Sequence, residues 1–251
     1  MSAAAEVEAR RIAALLGVPA AELGYLRSRG ASALARLRLA IASAGMERHR
    51  RSFERLARAS ALLPTALAAR IAQEHLGPVL IAALAPFLPP ARAALLGQRL
   101  EPGFLADVAV HLVPDRAAPL LAALPPELLS TTLQQLLARG EYAVMGTVVE
   151  QLPATTVTRL AAEIADPAEL LAIAAYVGDK RCLRPVVDSF DDNAILQLLG
   201  CAAEGAAMSA LIELTAVLEP LQQRRLRSLL ATLPEPSRRA WGEAAPTAAL
   251  A

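Results

Sequence analysis

The chain has 251 residues, of which 55% are apolar and only 3% aromatic, and its formal net charge is +1. A core of Leu, Ala, Val and Ile is expected, and with strand-forming aromatic and β-branched residues scarce the composition points to an all-α fold. Two cysteines, Cys182 and Cys201, exclude a disulfide framework and any C-x-x-C site.

Taken in order, residues 3–16 read as a first helix, with Ile12, Leu15 and Leu16 on one side and Gly17 and Pro19 ending it. Residues 20–29 predict a short second helix carrying Leu23 and Leu26. Leu34, Leu37, Leu39 and Ile41 carry a third, expected to stop near Gly45. Residues 46–62 are strongly basic. Phe53, Leu56 and Leu63 are the core candidates there, and Arg48, Arg50, Arg51, Arg55 and Arg58 cover most of the remaining surface. Pro64 marks a boundary between this basic N-terminal part and the rest of the chain. Residues 1–70 hold 12 Arg against 5 Glu, whereas residues 71–251 hold 13 Lys and Arg against 19 Asp and Glu. Such a split marks a basic arm for an acidic partner, or two parts that attract each other within the fold.

Beyond Pro64 the chain settles into short bursts of helical apolar spacing, each opened by proline. Proline fits the first position of a helix, where the N–H has no intrahelical partner, and it stops the helix before it. Pro114 opens PDRAAPLLAAL, Pro125 opens PPELLSTTLQQLL and Pro153 opens the next burst. In 126–138, Leu129, Leu133, Leu136 and Leu137 form one stripe; in 141–152, Val144, Met145, Val148, Val149 and Leu152 form another, with Gly140 between them as a left-handed cap. Asp166-Pro167-Ala168-Glu169 is the clearest helix start, with Asp166 as the cap and Glu169 reaching back. Trp241 is placed to cover the open end of the stack, and residues 245–251 are expected to fray. The helix-start prolines recur at 11 residues (114 to 125) or 14 residues (153 to 167, 220 to 234). A helix this short cannot bury its apolar face alone, so neighbours must stack.

The segment ADVAVHLVPDRAAPLLAALPPELLSTTLQQL (106–136), with Val113-Pro114, Leu124-Pro125-Pro126-Glu127, Leu152-Pro153 and its leucine pairs, resembles the cytoplasmic N-terminal domain of MgtE-type magnesium transporters over roughly 88–178. The resemblance implies a right-handed superhelix of short helices. It does not extend to the paired regulatory domains or membrane helices of those transporters, so transport is not expected. The acidic surface of that family is thin here, so magnesium sensing is not expected either.

The sequence holds few chemical motifs. There is no Walker sequence, no G-x-G-x-x-G, no G-x-S-x-G and no H-E-x-x-H. Asp107 and His111 share a helix face at i, i+4, a spacing that serves a metal pair or, more simply, a solvated face or a local hydrogen bond. Asp188, Asp191 and Asp192 gather at a helix junction, where they either hold a hard cation or cap a helix, with Lys180, Arg181 and Arg184 close enough in sequence to pair with them. ARRIAALLGVPAAELGYLRSRG (9–30) places Ala13, Gly17 and Leu23 as a helix-turn-helix would, and it resembles the start of MerR-type regulators. That resemblance implies phosphate contacts by Arg27 and Arg29. No β-wing candidate lies after it, however, and the presumed recognition helix AAELGYLR offers few base-reading groups.

The sequence therefore predicts an all-α, right-handed superhelix (a HEAT/armadillo-like solenoid) of short helices. It would consist of a basic N-terminal helical subdomain (1–63), a repeat region (64–242) and a flexible tail (243–251). The start MSAAAEVEARR lacks the pattern of a signal peptide, and the longest uncharged run near the middle, Leu76 to Ala91, is 16 residues and broken by prolines. A cytoplasmic protein without membrane insertion is expected. The expected function is non-enzymatic, with no cofactor or metal: a scaffold for a protein partner. DNA binding through the N-terminal part is the alternative. The candidate contacts are Arg27, Arg29, Arg48, Arg50, Arg51, Arg55 and Arg58.

Overall fold

The computed structural model describes residues 3–16, 18–204 and 208–244, and among these there are seventeen α-helices and no strand. None of the described helices is long and apolar enough to cross a membrane. The chain divides into two compact units, Met1–Thr132 and Leu133–Ala251.

The first unit opens with α1 (Ala3–Leu16), a 3-10 helix (Ala20–Ser28) and α2 (Ala31–Arg48). It continues through α3 (Arg50–Ala61), α4 (Thr65–Ile71), a π-type turn (Ala72–Leu76), α5 (Gly77–Leu84) and a 3-10 turn (Ala85–Phe87). It closes with α6 (Pro90–Gly97), α7 (Pro102–His111), α8 (Pro114–Ala123) and the start of α9 (Pro126–Ala138). The second unit holds the end of α9, α10 (Tyr142–Val149), α11 (Ala154–Ala162), α12 (Pro167–Tyr176) and a 3-10 turn (Lys180–Leu183). After these come α13 (Arg184–Ser189), α14 (Asp192–Glu204), α15 (Met208–Val217), α16 (Pro220–Leu230) and α17 (Glu235–Ala244).

The short-helix rhythm is the proline rhythm. Pro90, Pro102, Pro114, Pro126, Pro167 and Pro220 each occupy the first position of a helix, and Pro64 and Pro153 stand just before one. Within each unit, helices pack mainly on the helix two places along. In the first unit α3, α5 and α7 form one row and α4, α6 and α8 another; in the second, α10, α12, α14 and α16 form a row, with α11 on α13 and α15 on α17. Along these rows, neighbouring helices bury apolar residues against one another.

Short helices leave a large share of their carbonyls unpaired, since the last four of every helix lack an intrahelical donor. A proline after the helix supplies no N–H. Long cationic side chains fill the gap. Arg92 donates to Leu63 O at 2.6 Å and Ser60 O at 3.0 Å, closing α3. Lys180, the only lysine, is buried and donates to Val177 O at 2.6 Å and Ala174 O at 2.7 Å, closing α12. Arg184 donates to Val217 O at 2.6 Å after α15, and Arg225 to Phe190 O at 2.7 Å after α13. A cation also complements the negative end of the helix dipole.

Several local expectations are met. Asp166 accepts from Ala168 N–H at 2.8 Å at the start of α12. Gly140 has φ +66° and ends α9, with Glu141 N–H donating to Leu136 O and Gly140 N–H to Leu137 O, both at 2.9 Å. The reciprocal cap expected at Glu169 forms at α16 instead, where Gln222 Oε1 accepts from Glu219 N–H at 2.9 Å.

Others are corrected. Ile12 is buried, but Leu15 and Leu16 are exposed, because Ala5, Ala9, Ile12 and Ala13 supply the inward face of α1. The second segment is the short helix expected, of the 3-10 type, whereas α2 runs three residues past Gly45 and buries Met46. An isolated glycine costs a helix only about 1 kcal/mol, less than a buried contact returns. The break expected at Gly17 and the fraying of 245–251 fall outside the described residues.

One glycine is fixed by close approach. A Cβ on Gly146 of α10 would lie 2.6 Å from Tyr176 Cβ and 2.9 Å from Ile173 O of α12. The obstacle is largely backbone, so Gly146→Ala must push the two helices apart. A loss of about 1–3 kcal/mol in urea unfolding is expected. Gly97→Ala is the control, since its nearest obstacle is the mobile Leu128 Cδ2.

Candidate interaction surface

The basic residues singled out in the sequence do not gather at one point. Arg29 is exposed at the end of the 3-10 segment, and the side chain of Arg27 lies outside the described residues. Arg48 ends α2, and Arg50, Arg51, Arg55 and Arg58 lie on α3. Phe53 and Ala57 turn α3 inward. Ala57 is buried, and Phe53 stacks on Phe87 with ring centroids 5.8 Å apart. A helix advances 100° per residue, which puts Arg51, Arg55, Arg58 and Leu62 on the side opposite those two anchors.

The arginines of this segment differ in what holds them. Arg50 pairs with Glu54 at 2.9 Å and Glu47 at 3.8 Å. Arg58 donates to Glu54 O at 3.2 Å. Arg48, Arg51 and Arg55 are exposed and make no ion pair among the described residues. Leu56, expected in the core, is 49% exposed, and Leu62 is 87% exposed.

Elsewhere in the first unit lies a network that sequence spacing does not reveal. Glu8 of α1 is only 1% exposed and pairs with Arg38 of α2 at 2.9 Å and Arg11 at 2.6 Å. Arg38 also donates to Val110 O at 3.2 Å, tying α2 to the end of α7. Next to it, His111 is half-buried. Burial holds its imidazole below the usual histidine range, and Arg38 and Arg11 push it further down against the opposing pull of Asp107. With its pKa lowered in the fold, His111 supports stability above the unfolded value of about 6.5, and that support fades as the pH falls below it. The melting temperature should therefore decline as the pH falls below about 6.5, and less steeply in His111→Gln.

The aspartates at the α13–α14 junction have separate partners. Asp188 Oδ1 accepts from Gln222 Nε2 at 2.7 Å, Asp191 Oδ1 caps α14 through Ala194 N–H at 2.7 Å, and Asp192 pairs with Arg225 at 2.7 Å. Lys180, Arg181 and Arg184 pair elsewhere, with Glu213, Asp179 and Glu219 respectively. Among the described residues no group of three or more His, Cys, Asp or Glu is placed to hold a metal ion. Thermal melts should show no saturable shift at millimolar magnesium; a saturable shift lost on changing Asp188, Asp191 and Asp192 to Asn would overturn this.

Cys182 and Cys201 form no disulfide and are half-buried, and burial, with Glu150 and Asp179 nearby, pushes the Cys182 thiol up to about 11. A thiol held that high stays protonated at neutral pH. No protein-family model, no curated protein and no solved structure matches the chain.

Proposed function

We propose that the chain is a non-enzymatic helical-repeat protein that holds a protein partner on its surface. The observation carrying this reading is the row-by-row packing of short helices within each unit, together with an outer α3 face on which Arg51 and Arg55 make no ion pair among the described residues. Stacked short helices present long surfaces built from successive outer faces, and such surfaces bind other chains. The finer architecture we infer is the right-handed, HEAT/armadillo-like superhelix that the resemblance to the MgtE-type N-terminal domain implies. A cytoplasmic setting suits two cysteines that form no disulfide.

The alternative is DNA binding through residues 9–30. The exposure of Arg29 favours it, but the stretch expected to enter the major groove is a 3-10 helix, Ala20–Ser28, in which Leu23 is buried. Fluorescence anisotropy with a duplex of about 20 base pairs separates the two readings. Weak or undetectable binding at about 150 mM salt is expected of a scaffold. Tight binding, with log affinity falling by about 0.9 per phosphate against log salt and lost in Arg27→Ala with Arg29→Ala, would establish the alternative.

A further inference from the structure

We propose that the outer face of α3 docks an acidic amphipathic helix of a protein partner, carboxylates against Arg51, Arg55 and Arg58 and an apolar side chain against Leu62. This rests on the reading of the chain as a protein-binding module and names the partner's chemistry.

The face is patterned in two ways. Its charges stand at i, i+4 and i+7, and Leu62 comes at i+11 on the same line. A facing helix meets them with carboxylates at the same intervals, because both helices share a rise of about 1.5 Å per residue. Arg51 and Arg55 have no competing acid among the described residues, so an incoming carboxylate displaces only water. Arg48 extends the positive field by one turn.

Leu62 decides between a protein and a polyanion. It is 87% exposed and stands on the same line as the arginines. An amphipathic helix covers it, whereas a phosphate backbone gives it nothing. The flank of the face is also acidic: Glu54 and Glu47 hold Arg50, and Glu47 also pairs with Arg116. An unbroken row of phosphates would run against these carboxylates, while a partner with spaced acids avoids them.

The test uses the full chain and three labelled probes. The first is a helix-forming peptide of about 18 residues with Glu at i, i+4 and i+7 and Leu at i+11. The second has the same composition with the Glu positions scrambled. The third is a DNA duplex. The patterned peptide should bind saturably, one per chain, at least about tenfold tighter than the scrambled one. Arg51→Ser with Arg55→Ser should weaken it by about tenfold or more, and Leu62→Ser by about threefold or more. These side chains are exposed, so circular dichroism should be unchanged.

With these probes, four results would overturn the proposal: no binding of the patterned peptide, equal binding of both peptides, binding that survives the substitutions, or tighter binding of the duplex. Only the last would also remove the protein-binding reading. If a natural protein partner is held equally well by the Arg51→Ser, Arg55→Ser chain, this face is wrong and the scaffold stands.

Discussion

Trp241→Ala should cost about 3–5 kcal/mol in the unfolding transition of the second unit. The indole is 2% exposed and joins a cluster with Leu199, Leu211, Leu214 and Leu226. Its Nε1–H donates to Leu199 O at 3.0 Å, which anchors α17 on α14. Truncation therefore opens a large cavity and removes the hydrogen bond to a carbonyl inside α14. Trp241→Phe keeps most of the ring and loses the hydrogen bond, so it should cost less, with about 1 kcal/mol of its loss due to that bond. Equal, near-zero losses would mean that α17 does not close the core. The sequence points to Trp241 as a cover for the end of the stack, and its burial makes it part of the core.

The second large effect is expected at the other end of the chain. Arg38→Ala leaves Glu8 buried with Arg11 as its remaining cation and also frees Val110 O. Removing one partner of a buried ion pair strands the other charge, and a loss of about 3 kcal/mol is expected, at the lower end of the usual range because Arg11 remains. Replacing both partners by apolar residues, Glu8→Leu with Arg38→Met, should recover part of that loss, since neither Glu8 nor Arg38 is then left buried alone, while Arg11, 13% exposed, gives up its contact with Glu8. A double variant as unstable as Arg38→Ala would show that the pair is not the source of the effect.

How much of the fold is legible in the sequence depends on the range of the interactions concerned. The Pro starts, the Asp166 cap and the Gly140 turn are local: the residues that make them stand within a few positions of one another, and each is readable in the chain. The Glu8–Arg38 pair joins residues 30 apart, and the caps supplied by Arg92 and Arg184 reach 29 and 33 residues away. No spacing rule signals these. Gly146 looks like an interruption in a valine-rich stripe, and only the presence of α12 against it explains the missing side chain. Leu56 reads as a core residue because leucine usually belongs there, yet Phe53 and Ala57 already fill the inward face of α3. The candidate surface is legible as a concentration of arginines between 48 and 58. Which of them are held by acids, such as Arg50, and which are left to meet a partner, such as Arg51 and Arg55, depends on the fold.

The most direct test of the scaffold reading is affinity capture on the immobilised full chain from a nuclease-treated native lysate, at about 50 and 500 mM salt, read by quantitative mass spectrometry. The expected result is a protein retained in fixed ratio to the chain at low salt, released at high salt and reduced in the Arg51→Ser, Arg55→Ser chain. Retention of nucleic acid alone when nuclease is omitted, with no protein above background when it is present, would contradict it.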